Sequence, residues 1–148
     1  MSHRVVRGFQ RDRLIELREQ AKMTPAELAR LADLSPSTVA SWERRDGAPD
    51  VARLVKVAEV LEVDFSELVD VPREEQMPSD LRIRKGLSQV ELARQIGLST
   101  TVIGTFERAE KRWNVVQASK IAAVLGVDID DLHEAWLRAR RRPPGTPA

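Results

Sequence analysis

"ELARLADLSPSTVASWER" (residues 27–44) and "ELARQIGLSTTVIGTFER" (residues 91–108) are one pattern written twice. The copies lie 64 residues apart, and no gap separates their registers. The match extends outward on both sides. Of the 52 pairs between 17/81 and 68/132, 18 are identical, including Leu17/Leu81, Arg18/Arg82, Asp64/Asp128 and Leu68/Leu132. Others are like for like: Val39/Ile103, Trp42/Phe106 and Val57/Ile121. A period this long marks two copies of a small domain, not a solenoid unit. The connector "DVPREEQMP" (residues 70–78) is polar with proline near both ends, which suits a linker. The expected organisation is a first domain over 1–70 with a basic N-terminal arm, a linker over 71–76, a second domain over 77–142, and a tail, "PPGTPA" (143–148), too poor in apolar groups to pack and expected to be disordered.

Each copy reads as helix throughout. Leu14 and Leu17 belong to a first helix. Thr24 is an N-cap with Glu27 three residues on, and Pro25 sits where a helix tolerates proline. Leu28, Leu31 and Ala32 then recur at helical spacing. Ser35 caps a third helix that buries Val39 and Trp42. Val51, Leu54, Val55, Ala58 and Leu61 mark a fourth, and Asp64 caps a fifth that presents Phe65 and Leu68. Copy two repeats these signals at Ser88, Glu91, Ser99, Val115 and Asp128. The expected fold is all-α: two tandem five-helix domains.

Composition narrows the function classes. The 148 residues include no cysteine, which excludes disulfides and thiolate metal sites. The two histidines, His3 and His133, are far apart in sequence. No apolar run approaches the roughly 20 residues of a membrane span, and "MSHRVVRGFQRDR" is no signal segment, so a cytoplasmic protein is the expectation. There is no glycine-rich phosphate loop, no metal-ligand spacing, and no nucleophile beside a histidine, so no enzyme, cofactor or metal is expected. The overall charge of +1 gives no argument for nucleic acid. Its distribution is uneven. Residues 1–71 carry 11 Lys/Arg against 13 Asp/Glu, and residues 72–148 carry 13 against 10. Both ends are basic: Arg4, Arg7, Arg11 and Arg13, then Arg138, Arg140, Arg141 and Arg142. Two readings of these ends stand open, solvated termini and phosphate-contacting arms.

A capped helix, a short turn and a second capped helix with a small, polar outer face make a helix-turn-helix arrangement. "LREQAKMTPAELARLADLSPSTVASWERR" and "LRIRKGLSQVELARQIGLSTTVIGTFER" resemble the phage-repressor (Xre/Cro) helix-turn-helix family, in two tandem copies. The resemblance implies double-stranded DNA as partner, with the third helix of each copy in the major groove. It places base-reading positions at Pro36, Ser37, Thr38 and Ser41, and at Thr100, Thr101, Val102 and Thr105. It places phosphate contacts at Thr24, Ser35, Arg44 and Arg45, and at Ser88, Gln89, Ser99, Arg108, Lys111 and Arg112. Pro25 stands where the family carries the glutamine that Gln89 matches. The family's structural ion pair of helix one with the end of helix three falls on Arg18–Glu43 and Arg82–Glu107.

The resemblance implies a sequence-specific, repressor-like regulator. No Arg, Asn or Gln occupies a base-reading position, so bidentate readout is absent and DNA shape gains weight. That weak reading face, with the near-neutral charge, also fits a protein-interaction module such as an antitoxin or a subunit modulating another regulator. Copy two departs in three places. It has "RAEKRWNV" where copy one has the Gly-Pro turn "RRDGAPDV". Gly104 lies inside its third helix, through drift or to let another backbone approach. Its last helix continues through Trp136 and Leu137, which either fold back on the protein or form a homodimer contact.

Overall fold

A computed structural model describes residues 6–148. The chain forms two compact units, Met1–Asp70 and Val71–Ala148. Unit 1 contains α1 (Arg11–Gln20), α2 (Pro25–Leu31), α3 (Thr38–Glu43) and α4 (Val51–Leu61). Unit 2 contains α5 (Pro78–Arg84), α6 (Gln89–Ile96), α7 (Thr100–Glu107), α8 (Val115–Leu125) and α9 (Ile129–Arg140). The described residues form no strand beyond one isolated antiparallel bridge, Phe9 with Val69. None of their helices is long and apolar enough to cross a membrane.

The caps explain the helix starts. Thr24 accepts the Glu27 N–H at 3.1 Å while Glu27 accepts the Thr24 N–H, a reciprocal capping box. Asp50, Ser88, Ser99, Asn114 and Asp128 each accept a backbone N–H from the helix they precede. Ser35 departs from expectation. Its hydroxyl meets the Thr38 hydroxyl and not a backbone N–H, and α3 begins at Thr38, so Pro36 and Ser37 lie in the preceding turn.

The core of unit 1 is built on Leu14, Leu28, Val39, Leu54, Val57 and Leu68, all essentially buried. On α2 the buried set is Leu28, Ala29 and Ala32. Leu31, expected inside, is 48% exposed: it flanks the buried face on the last residue of a seven-residue helix. The expected fifth helix of unit 1 is a single 3-10 turn, Phe65–Glu67, capped by Asp64. Proline at 72 denies the chain a continuation. Instead it pairs with the N-terminal segment: Gln10 N–H bonds Leu68 O, and Asp70 N–H bonds Gly8 O, both at 2.8 Å. The described part of the basic arm is therefore packed. Val6 is buried, Phe9 meets the Trp42 ring edge-on, and Arg11 donates to Trp42 O. Arg4 lies outside the described residues.

In unit 2 two departures from copy one are a single structural change. Pro49 of unit 1, fully buried, aligns with Trp113. The Trp113 ring lies 5.7 Å from Phe106, 5.5 Å from Trp136 and 4.4 Å from His133, centroid to centroid. The lost Gly-Pro turn and the longer α9 thus complete one aromatic cluster. Trp136 is 5% exposed, and Leu137 is half-buried against the same core. Trp136 was expected to lie beyond what the core needs. It is part of the core of unit 2, folded back on its own unit. The expected linker and tail also pack. Val71 is buried, Arg138 donates to Gln76 O, Arg142 donates to Thr146 O, and Ala148 joins the core of unit 2.

Helices α2 and α4 end in residues held at positive φ, Asp33 (58°) and Glu62 (56°), where unit 2 has Gly97 (68°) and Gly126 (64°). A Cβ disfavours that conformation by about 1–2 kcal/mol, less for Asp. Nothing lies within 4 Å of a Cβ built on Gly97, so substitution there tests backbone conformation alone. Gly97→Ala should destabilise unit 2 by about 1 kcal/mol, and Glu62→Gly should stabilise unit 1 by about 0.5–1 kcal/mol. Denaturant titration of each variant checks both signs.

Candidate nucleic-acid interface

The third helix of each unit is positioned by an ion pair. In unit 1, Arg18 Nε and Nη2 donate to the two Glu43 carboxylate oxygens at 2.7 Å each, and Nη1 donates to Met23 O. These hydrogen bonds to Glu43 outweigh burial and raise the Arg18 pKa. In unit 2, Arg82 binds Glu107 at 2.6 and 3.1 Å and reaches Leu87 O at 2.8 Å. One guanidinium thus ties the first helix, the loop before the second and the end of the third. The pairs differ in depth: side-chain exposures are 12% and 11% in unit 1 and 5% and 3% in unit 2. Gln89 accounts for part of this. Its Nε2 donates to Glu107 Oε1 at 2.9 Å, so the residue expected on phosphate also braces the ion pair. Pro25, at the aligned position, has no donor to offer.

With the helices so fixed, the expected base-reading positions share one outer face in each unit. Pro36 and Ser37 are exposed, and Thr38 and Ser41 half-exposed. Thr100 and Thr101 are exposed, and Val102 and Thr105 half-exposed. Thr101, Val102 and Thr105 line a concavity with Lys111, Arg112 and Gln117. The expected phosphate residues Thr24 and Ser99 are exposed and Ser88 half-exposed, each engaged as a cap.

The basic residues after the third helices divide into paired and unpaired. Arg44 bonds Asp46 at 3.1 Å, and Arg108 bonds Glu110 at the aligned positions. The hydrogen bond from Arg108 holds the Glu110 carboxyl below its ordinary pKa. That contact is lost only as pH falls through the depressed value, so it persists at neutral pH. Arg45, Lys111 and Arg112 are exposed. A Cβ on Gly104 would stand 2.9 Å from Arg108 Nη1, the far end of a flexible side chain that a small shift would clear.

The arginines at the two ends of the chain do something the sequence reading missed. Arginine bonds backbone carbonyls at the end of the third helix in unit 1, and at the cap and in the following loop in unit 2. In unit 1 the donor is Arg11, to Trp42 O at 2.5 Å. In unit 2 Arg140 donates to Ala109 O at 2.8 Å and Lys111 O at 3.2 Å, and Arg142 to Arg108 O at 2.7 Å. Cationic donors at a helix C-terminus satisfy orphan carbonyls and complement the dipole. Gln117, in the same concavity as Thr101, Val102 and Thr105, was also missed. It lies one turn into α8, where nothing in the local pattern distinguishes it.

A helix-turn-helix family model matches residues 14–68 and again 79–132. A "Neisseria hypothetical transcription factor" from Neisseria meningitidis serogroup B (strain ATCC BAA-335 / MC58) is 52% identical over 48 residues, 31% of this chain and 43% of that protein. The match thus spans about two-fifths of that relative's length. No solved structure matches the chain.

Removing one member of a buried ion pair strands the other, at about 3–5 kcal/mol. Glu107→Ala should cost unit 2 that much, and Glu43→Ala should cost unit 1 less, because its pair keeps more solvent. Replacing both partners, Arg82→Met with Glu107→Leu, should recover most of the loss. Chemical denaturation of the three variants checks the order.

Proposed function

We propose that this chain, which belongs to the helix-turn-helix family through both of its units, is a DNA-binding transcriptional regulator that presents two reading heads from one polypeptide. The family match and the relative support a DNA-binding regulator. One observation carries the finer reading: in each unit the small polar face of the third helix lies at the surface beside exposed basic side chains, Arg45 in one and Lys111 and Arg112 in the other. A single domain of this kind usually reaches two half-sites by dimerising, with reading helices about 34 Å apart, one DNA turn. Tandem units supply the second head covalently and raise its effective concentration, provided both can dock together.

The chemistry of the reading face sets the kind of readout. Ser37, Ser41, Thr101 and Thr105 offer hydroxyls that both donate and accept, so each discriminates bases weakly. Thr methyls, Val102 and Pro36 present apolar surface suited to thymine methyl groups. Repressor-like specificity then rests on several modest contacts, on phosphate positioning and on DNA shape. The chain's role in transcription is binding; no catalytic step belongs to this reading.

A carboxylate on the reading face would meet the negative DNA surface without disturbing the core. Ser37→Glu and Thr101→Glu should each weaken binding to duplex DNA while leaving the helical circular dichroism and the unfolding midpoint unchanged. Affinity unmoved by both substitutions would place DNA elsewhere on the protein and favour protein recognition by these faces.

A further inference from the structure

The two reading faces are near copies, but the loops that follow them are not. Between the third and fourth helices unit 1 carries Arg44 and Arg45 against Asp46 and Asp50, a balance of zero. Unit 2 carries Arg108, Lys111 and Arg112 against Glu110, a balance of +2. The cap of the fourth helix shows the same asymmetry: a charged Asp50 in unit 1, a neutral Asn114 in unit 2. Arg44 is held by Asp46, as Arg108 is by Glu110, so the difference in available charge is Arg45 alone against Lys111 and Arg112 together.

The unit 2 loop is also held in a way unit 1 cannot match. It has lost the Gly-Pro turn that shapes the loop of unit 1. In its place, α9 extends far enough for Arg140 to bond the carbonyls of Ala109 and Lys111. Arg142 bonds Arg108 O through Nη1, shares that nitrogen with Ala139 O, and uses Nε for Thr146 O. One guanidinium thus joins the end of α7, the end of α9 and the last turn of the chain. These contacts engage Nη1 of Arg140 and both Nε and Nη1 of Arg142 with backbone carbonyls, which ties the two side chains to the loop. Among the described residues, unit 1 has the single 3-10 turn Phe65–Glu67 where unit 2 has α9.

We propose that unit 2 is the anchoring half of the DNA-binding surface, with Lys111 and Arg112 as its phosphate contacts and Arg140 and Arg142 as positioning residues that hold their loop beside Thr101 and Thr105. The inference rests on the DNA-binding reading above and adds which half grips and what holds the grip in place. Unit 1, with a balanced loop, contributes register more than affinity.

Phosphate contacts are counted by the salt dependence of binding, which falls by about 0.9 in log–log slope for each contact removed, or roughly three- to fourfold in affinity between about 50 and 200 mM salt. The experiment measures binding of the full chain to random-sequence duplex across that range. Lys111→Ala with Arg112→Ala should reduce the slope by about 1.8, and Arg44→Ala with Arg45→Ala by about 0.9 or less. Arg142→Lys keeps the charge but cannot reproduce the fork. It should still lose slope, and in its background the Lys111/Arg112 double variant should lose less than in the parent protein. Circular dichroism confirms that each variant remains folded, and a purely structural role for Arg142 would leave the slope unchanged. Equal slopes lost from the two units would overturn the division, and full activity of Arg142→Lys would overturn the positioning role, with DNA binding itself intact. No binding of the parent chain to any duplex would overturn the DNA reading and this inference with it.

Discussion

An arginine from the first helix closes on a glutamate at the end of the third, once in each unit, and the placement of the third helix depends on that bond. Two parallel N–H···O contacts fix both the distance and the plane of the guanidinium. The remaining nitrogen, Nη1, takes the carbonyl of Met23 or Leu87 just before the second helix. Three segments that share no covalent neighbour are thereby held in one geometry. Such a pair adds little net stability against an apolar replacement, but a single deletion leaves a charge without a partner. Its role here is to hold α3 and α7 at fixed angles, so that short hydroxyl side chains point outward together.

The two units reach that geometry with different supports. Unit 1 closes its core with a buried Pro49 and braces the end of α3 with Arg11 from the segment before α1. Unit 2 has Trp113 in place of the proline, and α9 grows by the turns needed to cover it with Trp136. The same longer helix delivers Arg140 and Arg142 to the end of α7. Unit 2 also has glycine at helix ends where unit 1 holds Asp33 and Glu62 at positive φ. Its ion pair is deeper and carries a third donor in Gln89. The deeper ion pair, its third donor and the arginine contacts from α9 hold unit 2 more tightly, while its glycines relieve helix ends that are strained in unit 1.

Much of this is legible in the sequence because it is local. Thr24, Ser88 and Ser99 act on backbone within three residues, and Val39, Trp42, Ile103 and Phe106 follow helical periodicity, so the helices and the tandem repeat can be read directly. The ion pairs were legible through the resemblance, at matching positions in both copies. What escaped is non-local. Arginines near chain ends look alike whether they meet phosphate or carbonyl, and Arg11 and Arg142 find partners more than 30 residues away. Trp136 looked surplus because its partner, Trp113, is the residue by which copy two breaks the repeat. The expected fifth helix of unit 1 shares its apolar pair with α9, but after one turn the chain pairs with the segment before α1, a non-local contact. Base-reading assignments remain tied to the family geometry, since Ser and Thr carry no distinguishing pattern of their own.

The central claim is that one chain presents two DNA-reading heads. Its most direct test is selection of bound duplexes from a random library by the full chain at two salt concentrations. The account predicts enrichment of two short motifs at a fixed spacing within a single bound duplex, with stronger enrichment at the higher salt, where non-specific phosphate binding recedes. Enrichment of a single motif, or binding that vanishes with salt and selects nothing, would contradict it.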